Sequence, residues 1–157
     1  MLRSAIRTPL VIGKALLSKD SVVSRLHRRV GVSDCDFNRH LTNSRYPSYM
    51  DEGRWDLIIR SGAHKVCVRK RIRPVVVDLK IKFRRELRFG APFVLDSRIT
   101  GLDGKAMVIE QYFLVDGVVH TSAEVRSLVV GARGVISPVD FAPFVTEPWL
   151  QKSETKG

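Results

Sequence analysis

Cysteine is almost missing from this chain. Cys35 and Cys67 are its two in 157 residues, too few for a disulfide framework, and a bridge at Cys35 would obstruct the polar cluster around it. A reducing, cytoplasmic setting fits that scarcity. No apolar run approaches the roughly 20 residues that a membrane-spanning helix needs, so the chain reads as soluble or at most peripheral. No paired His or Cys motif completes a coordination sphere for a metal, even if Asp34, Asp36 and His40 are taken together. The basic segments lack the interleaved aromatics that stack on bases, and there is no recognition-helix or zinc pattern, so nucleic acid is not an expected partner. Acids are missing from residues 1–19, where Arg3, Arg7, Lys14 and Lys19 precede Asp20. Organelle presequences and surface-lying basic helices share that pattern. Residues 1–26 are therefore read as a basic helical segment, compatible with targeting or with peripheral membrane contact.

What is present is one core's worth of apolar sequence and a large excess of positive charge. At 157 residues and 44% hydrophobic content a single domain is expected. The 27 basic residues outnumber 16 acidic ones, a formal net charge of +11, which favours anionic partners and says nothing about fold.

The densest chemistry lies in Ser33-Asp-Cys-Asp-Phe-Asn-Arg-His-Leu-Thr-Asn-Ser-Arg-Tyr46, where Asp34, Asp36, Asn38, His40 and Asn43 crowd together. Folding alone does not demand that density, although short polar side chains also make turns and helix caps. A short alternating stretch, His27 to Val32, leads into the cluster as a strand. A helix should follow, capped by Asn43 or Ser44, with Pro47 in its first turn, Tyr46, Tyr49, Met50, Gly53 and Leu57 at helical spacing, and Gly62 as its stop. Gly53 in mid-helix costs about 1 kcal/mol against alanine, which close sheet-on-helix packing would explain. The period then drops to 2: Val75, Val77, Leu79, Ile81 and Phe83 alternate with Val76, Asp78, Lys80, Lys82 and Arg84. Asp103-Gly104 and Asp116-Gly117 separate further alternating runs at 92–102, 106–115 and 118–130 as tight hairpins. These four strands read as an antiparallel meander wrapped around the helix, an α+β domain over 27–136. Residues 137–157, with Pro138, Pro143 and Pro148, read as an irregular tail.

These residues resemble the hotdog-fold thioesterases, in particular the 4-hydroxybenzoyl-CoA thioesterase group and the plant acyl-carrier-protein thioesterases, over roughly residues 28–131. The strongest part, SDCDFNRHLTNSRYPSYMDEGRWDL, is similar to the family's Asp-x-Asn-x-His segment running into an Asn-x-x-Tyr helix start. Thr42, where asparagine is common, and Pro47 depart from it. The resemblance implies an acyl-CoA or acyl-carrier thioester hydrolase, a homodimer or homotetramer with sites between subunits, and no metal or organic cofactor. It implies Asp36 as base or nucleophile, Asn38 and His40 as orienting groups, and Glu86 of Arg84-Arg85-Glu86 as a further member. Strict alternation puts Glu86 on the outward face of its strand, in phase with Lys82 and Arg84.

Thioester hydrolysis needs a nucleophile at the carbonyl and a stabilised oxyanion. Asp36 suits the first need. The helix start suits the second, through the Asn43 backbone amide, because first-turn N–H groups lack internal partners. The resemblance also implies Asp51 and Glu52 as alternatives to Glu86, since other hotdog subfamilies place a working carboxylate on this helix, and i to i+4 pairing does not account for either. Tyr46 is expected at the substrate. Arg69, Lys70 and Arg71, within the basic run His64 to Arg73, suit CoA phosphates or an acidic carrier. Cys35 with His40 could form a thiol nucleophile, but in an extended segment Cys35 points away from Asp34 and Asp36. The alternative reading is a hotdog module that binds acyl groups or a membrane without turnover.

Overall fold

The structure, a computed structural model, describes residues 23–137. Its elements are β1 (Val23–Arg29), a 3-10 turn (Val32–Asp34), a second 3-10 turn (Asn43–Arg45) continuous with α1 (Tyr46–Arg60), α2 (Ala63–Lys70), β2 (Arg73–Phe83), β3 (Pro92–Asp103), β4 (Ala106–Val115), β5 (Val118–Gly131) and β6 (Gly134–Ile136). All pairings are antiparallel, in the order β1-β3-β4-β5-β2, with β6 on the end of β5. The curled sheet holds α1 against its concave face, the α+β hotdog architecture expected from the sequence.

The hairpins form where Asp-Gly predicts them. Asp116 and Gly117 both have positive φ, 49° and 76°, the two-residue turn whose twist matches its flanking strands. Gly104, at φ 60°, opens the β3–β4 turn between the paired Asp103 and Ala106. Pro47 lies in the first turn of α1, and Gly62, at φ 77°, follows its end.

Several expectations are corrected. The first strand begins at Val23 and ends at Arg29, so residues 23–26 belong to the sheet and not to a helical segment; residues 1–22 lie outside those described. Thr42 takes the cap position of the lead-in turn and α1 proper starts after Arg45, with no side-chain cap bond at either, so neither Asn43 nor Ser44 caps the helix. The run from Ala63 is a short second helix, ended by Arg71 in the left-handed region. Only β3, β4 and β5 form a meander, because β2 crosses to pair with the far side of β5. The strict alternation assigned to β2 also breaks: the register shifts between Val76 and Asp78. One extra residue swaps the faces. Pro74 and Val76 face inward before the shift, paired with Val129 and Ser127, and Leu79, Ile81 and Phe83 do so after it, paired with Val125, Ala123 and Thr121.

The core lies between α1 and the sheet, with Tyr49, Met50, Leu95, Phe113 and Val125 fully buried, each such side chain stabilising by roughly 1.5–3 kcal/mol. Ser24, Ser97, Gln111 and Ala123 are consecutive cross-strand partners and make a low transverse row of small or polar residues beneath the helix. Gly53 sits on that row. A Cβ there would clash with Ser97 Oγ and lie 2.9 Å from Gln111 Nε2. Gln111 Nε2 donates to Met50 O (2.9 Å) and to Ser97 Oγ (2.8 Å), while its Oε1 accepts from Arg54 (2.9 Å). The close approach is thus one of sheet side chains to the helix backbone.

Candidate active site

The polar cluster folds into a tight hairpin at the N-terminal end of α1. Asp36 N–H donates to His40 O (2.9 Å), and Asp36 Oδ1 accepts the N–H groups of Asn38 (2.9 Å) and His40 (3.2 Å). Arg39 takes φ 60° to close the turn. Its second arm pairs with the chain that follows β2: Leu41 N–H donates to Leu87 O (2.7 Å), Phe89 N–H donates to Arg39 O (2.8 Å), and His40 lies opposite Arg88. Leu41 and Leu87 therefore point into the core while His40 and Arg88 share the outer face.

Glu86 joins this face. β2 ends at Phe83, and the N–H groups of Arg84 and Arg85 both donate to His120 O (2.9 and 3.0 Å), so strand alternation stops before Glu86 and does not decide its direction. His40 Nε2 lies 3.1 Å from Glu86 Oε2; a carboxylate oxygen accepts, so a hydrogen bond there has Nε2 as its donor. His120 Nδ1 lies 3.1 Å from Glu86 O, a neighbour that no sequence motif signals. Asp36, Asn38, His40 and Glu86 are thus brought together, and Asn43 opens the lead-in turn two residues after Leu41.

The other candidates are placed elsewhere. Tyr46 is buried, its ring edge-on to Phe83 and Phe113 with centroids 5.0 Å away in each case, and burial pushes its hydroxyl pKa up. Arg69 and Lys70 end α2, and Arg71 is its left-handed cap. They adjoin the Arg73 end of β2, whereas Glu86 follows its Phe83 end, a separation of roughly 30 Å at about 3.3 Å per residue. Within one chain these cations do not meet the hairpin. Asp51 pairs with Arg54 on the same helix and Glu52 with Arg28 across to β1 (2.9 Å), so charge pairing does account for both. Asp34 is buried and accepts from Tyr49 OH (2.7 Å), tying the loop to α1. Cys35 packs partly into the core, and its Sγ donates to Gly31 O (3.4 Å). Burial first, then Asp34 and Asp36, push its thiol pKa up, the reverse of what a thiolate nucleophile needs.

A cavity of about 130 Å3 opens between the C-terminal half of α1, α2 and the sheet, lined by Trp55, Ile58, Cys67, Val76, Met107 and Val129 among others, with Asp51 and Arg54 at its polar side. It is mostly apolar and lies toward the Arg73 end of β2, away from the hairpin.

An antiparallel sheet curled round one long helix is the fold of the hotdog thioesterases. Residues 30–150 match the family model described as the thioesterase-like superfamily, and the chain belongs to that family. Protein THEM6 of Danio rerio is 34% identical over 89 residues, 57% of this chain and 44% of that protein. Long-chain acyl-CoA thioesterase FadM of Escherichia coli (strain K12) is 27% identical over 81 residues, 52% of this chain and 61% of that protein. The chain thus spans about half the length of the curated relatives it matches. Among solved structures, YbaW, a probable thioesterase from Escherichia coli, superposes with a TM-score of 0.70 at 21% identity, covering 74% of this chain and 91% of that one, which is a likeness of fold.

Proposed function

We propose that this chain hydrolyses acyl-CoA thioesters, with Asp36 as general base and His40, Asn38 and Glu86 ordering the site. Water attacks the carbonyl carbon as the Asp36 carboxylate takes its proton, the C–S bond breaks, and the products are a free carboxylic acid and the CoA thiol. The observation that carries the reading is the joining of two separate segments, the Asp36–His40 hairpin and Glu86, at the N-terminal end of α1, where backbone N–H groups favour developing negative charge. An acyl-carrier thioester would present the same bond to the same groups.

The site reads as shared between two copies of the chain. β2 is a sheet edge exposing Val76, Val77, Leu79 and Phe83, which solitary proteins seldom leave uncovered. Antiparallel pairing of β2 with a second β2 would set the Phe83 end of one copy, with its hairpin, beside the Arg73 end of the other. The apolar cavity and Arg69, Lys70 and Arg71 would then adjoin the partner's Asp36, in reach of acyl group and phosphates. Residues 1–22, where peripheral membrane contact or targeting was expected, lie outside the described residues.

One observation favours a module without turnover: Asp36 Oδ1 is already engaged by two turn N–H groups, so the turn alone accounts for an acid there. Asp36→Asn separates the readings, because an amide oxygen still accepts both bonds while the base is gone. Thiol release is measured on short, long and aromatic acyl-CoA substrates. The hydrolase reading expects turnover by the parent, an unchanged melting temperature in Asp36→Asn, and a loss of at least about 10²-fold. A parent that binds acyl-CoA without releasing thiol would replace it with the binding module.

A further inference from the structure

The hairpin that carries Asp36 also carries a residue with no part in holding it. Phe37, at the tip, is fully exposed at 107%, while the turn is made by the Asp36 carboxylate and by Arg39 in the left-handed region. Phe89, half exposed, lies on the segment bonded to that hairpin through its N–H to Arg39 O. Val32, 72% exposed, lies on the adjoining 3-10 turn, which is tied in through Cys35 Sγ to Gly31 O and through Gly90 N–H to Val30 O. The same segments and the strand ends that flank them carry the exposed Arg29, Arg39, Arg84, Arg85 and Arg88 and the carboxylates of Asp36 and Glu86, with Arg29 donating to Gly90 O (2.6 Å).

We propose that this end of the molecule docks on an anionic lipid surface, Phe37 and Phe89 entering the headgroup boundary and the arginines meeting lipid phosphates. Three features choose this occupant. Phe37 projects from the surface, whereas sites for small molecules are concave. The five arginines exceed the two carboxylates, an excess of positive charge that suits an anionic occupant. The hairpin is already locked by its backbone bonds, so inserting its tip orders little that was free, and arginines beside an acidic leaflet add to the apolar term. Val23, the first described residue, lies about 20 Å along β1 from Arg29. The inference does not depend on the hydrolase reading, since it concerns a contact and not turnover.

The test is flotation of the full chain with vesicles of phosphatidylcholine containing about 30% phosphatidylserine, and with phosphatidylcholine alone. The expected result is binding to the anionic vesicles that weakens as salt rises from about 0.05 to about 0.5 M and falls by about 10-fold or more in Phe37→Ser, with Phe89→Ser also weaker and the circular dichroism of both unchanged. Absence of parent binding overturns the proposal. So does Phe37→Ser binding as well as the parent, which would move the contact to the N-terminal sequence, or equal binding to both vesicle types, which would remove the role of the arginines. Sedimentation showing that Phe37→Ser dissociates an oligomer would assign the patch to a second copy, and selective capture of an acidic carrier protein in place of vesicles would assign it to that partner; either result overturns docking on lipid.

Discussion

Cys35 and Glu86 show how differently two candidate side chains can be read. Cys35 follows local geometry: flanked by Asp34 and Asp36 in an extended stretch, it turns the other way, and it packs partly into the core. Its thiol is held up by burial, with the two neighbouring carboxylates adding to it, so at neutral pH the neutral form dominates even more than in a free thiol. Cys35→Ala is therefore expected to keep full turnover, and Cys35 to react with iodoacetamide more slowly than a free cysteine at pH 8; turnover lost along with an intact fold would restore the thiol as a candidate nucleophile. Glu86 could not be placed by such reasoning. Alternation carried past Phe83 points it outward, but the strand stops there because Arg84 and Arg85 both bond His120 O, and that carbonyl belongs to a strand more than thirty residues away in sequence. A non-local acceptor leaves no mark in the local pattern.

At the level of elements, α1 and the three-stranded meander were legible because their signals are local: helical spacing from Tyr46 to Leu57, and two Asp-Gly turns. The position of β2 was not, since its pairing with β5 depends on which edge is free after the crossover, and neither was its register shift, which no glycine or proline announces at Val77. The short α2 was hidden by composition, as Val66, Cys67 and Val68 have modest helix propensity and Val66 is its one fully buried side chain. Gly53 is where the elements are most tightly coupled. Alanine would gain about 1 kcal/mol of helix propensity, yet its methyl would collide with Ser97 Oγ and crowd Gln111, and such overpacking typically costs about 1–3 kcal/mol. Gly53→Ala is therefore expected to lower the urea midpoint despite the better helix former, and Gly53→Ala with Ser97→Ala to recover part of the loss. A single substitution that raised the midpoint would mean the helix can lift off the Ser97–Gln111 row without penalty.

For the whole molecule, the arrangement along β2 decides what a complete site requires. The hairpin and Glu86 sit at the Phe83 end, the apolar cavity and its basic neighbours at the Arg73 end, and the seven steps from Val76 to Phe83 span roughly 23 Å. On the proposed reading one chain does not bring both to a single thioester, whereas antiparallel edge pairing would bring each hairpin to the other copy's cavity. Two variants that the proposed reading expects to be inactive distinguish these arrangements. Asp36→Asn removes the proposed base and keeps the cavity; Ile58→Arg places a cation in the cavity lining and keeps that base. If sites are shared, a mixed dimer contains one site built from the intact Asp36 of one chain and the intact cavity of the other. Unfolding and refolding the two variants together should then recover roughly a quarter of parental thiol release, since half of randomly formed dimers are mixed and each has one of two sites restored. If each chain carried its own complete site, every site in every dimer would keep one lesion, and the mixture would stay as inactive as its parts.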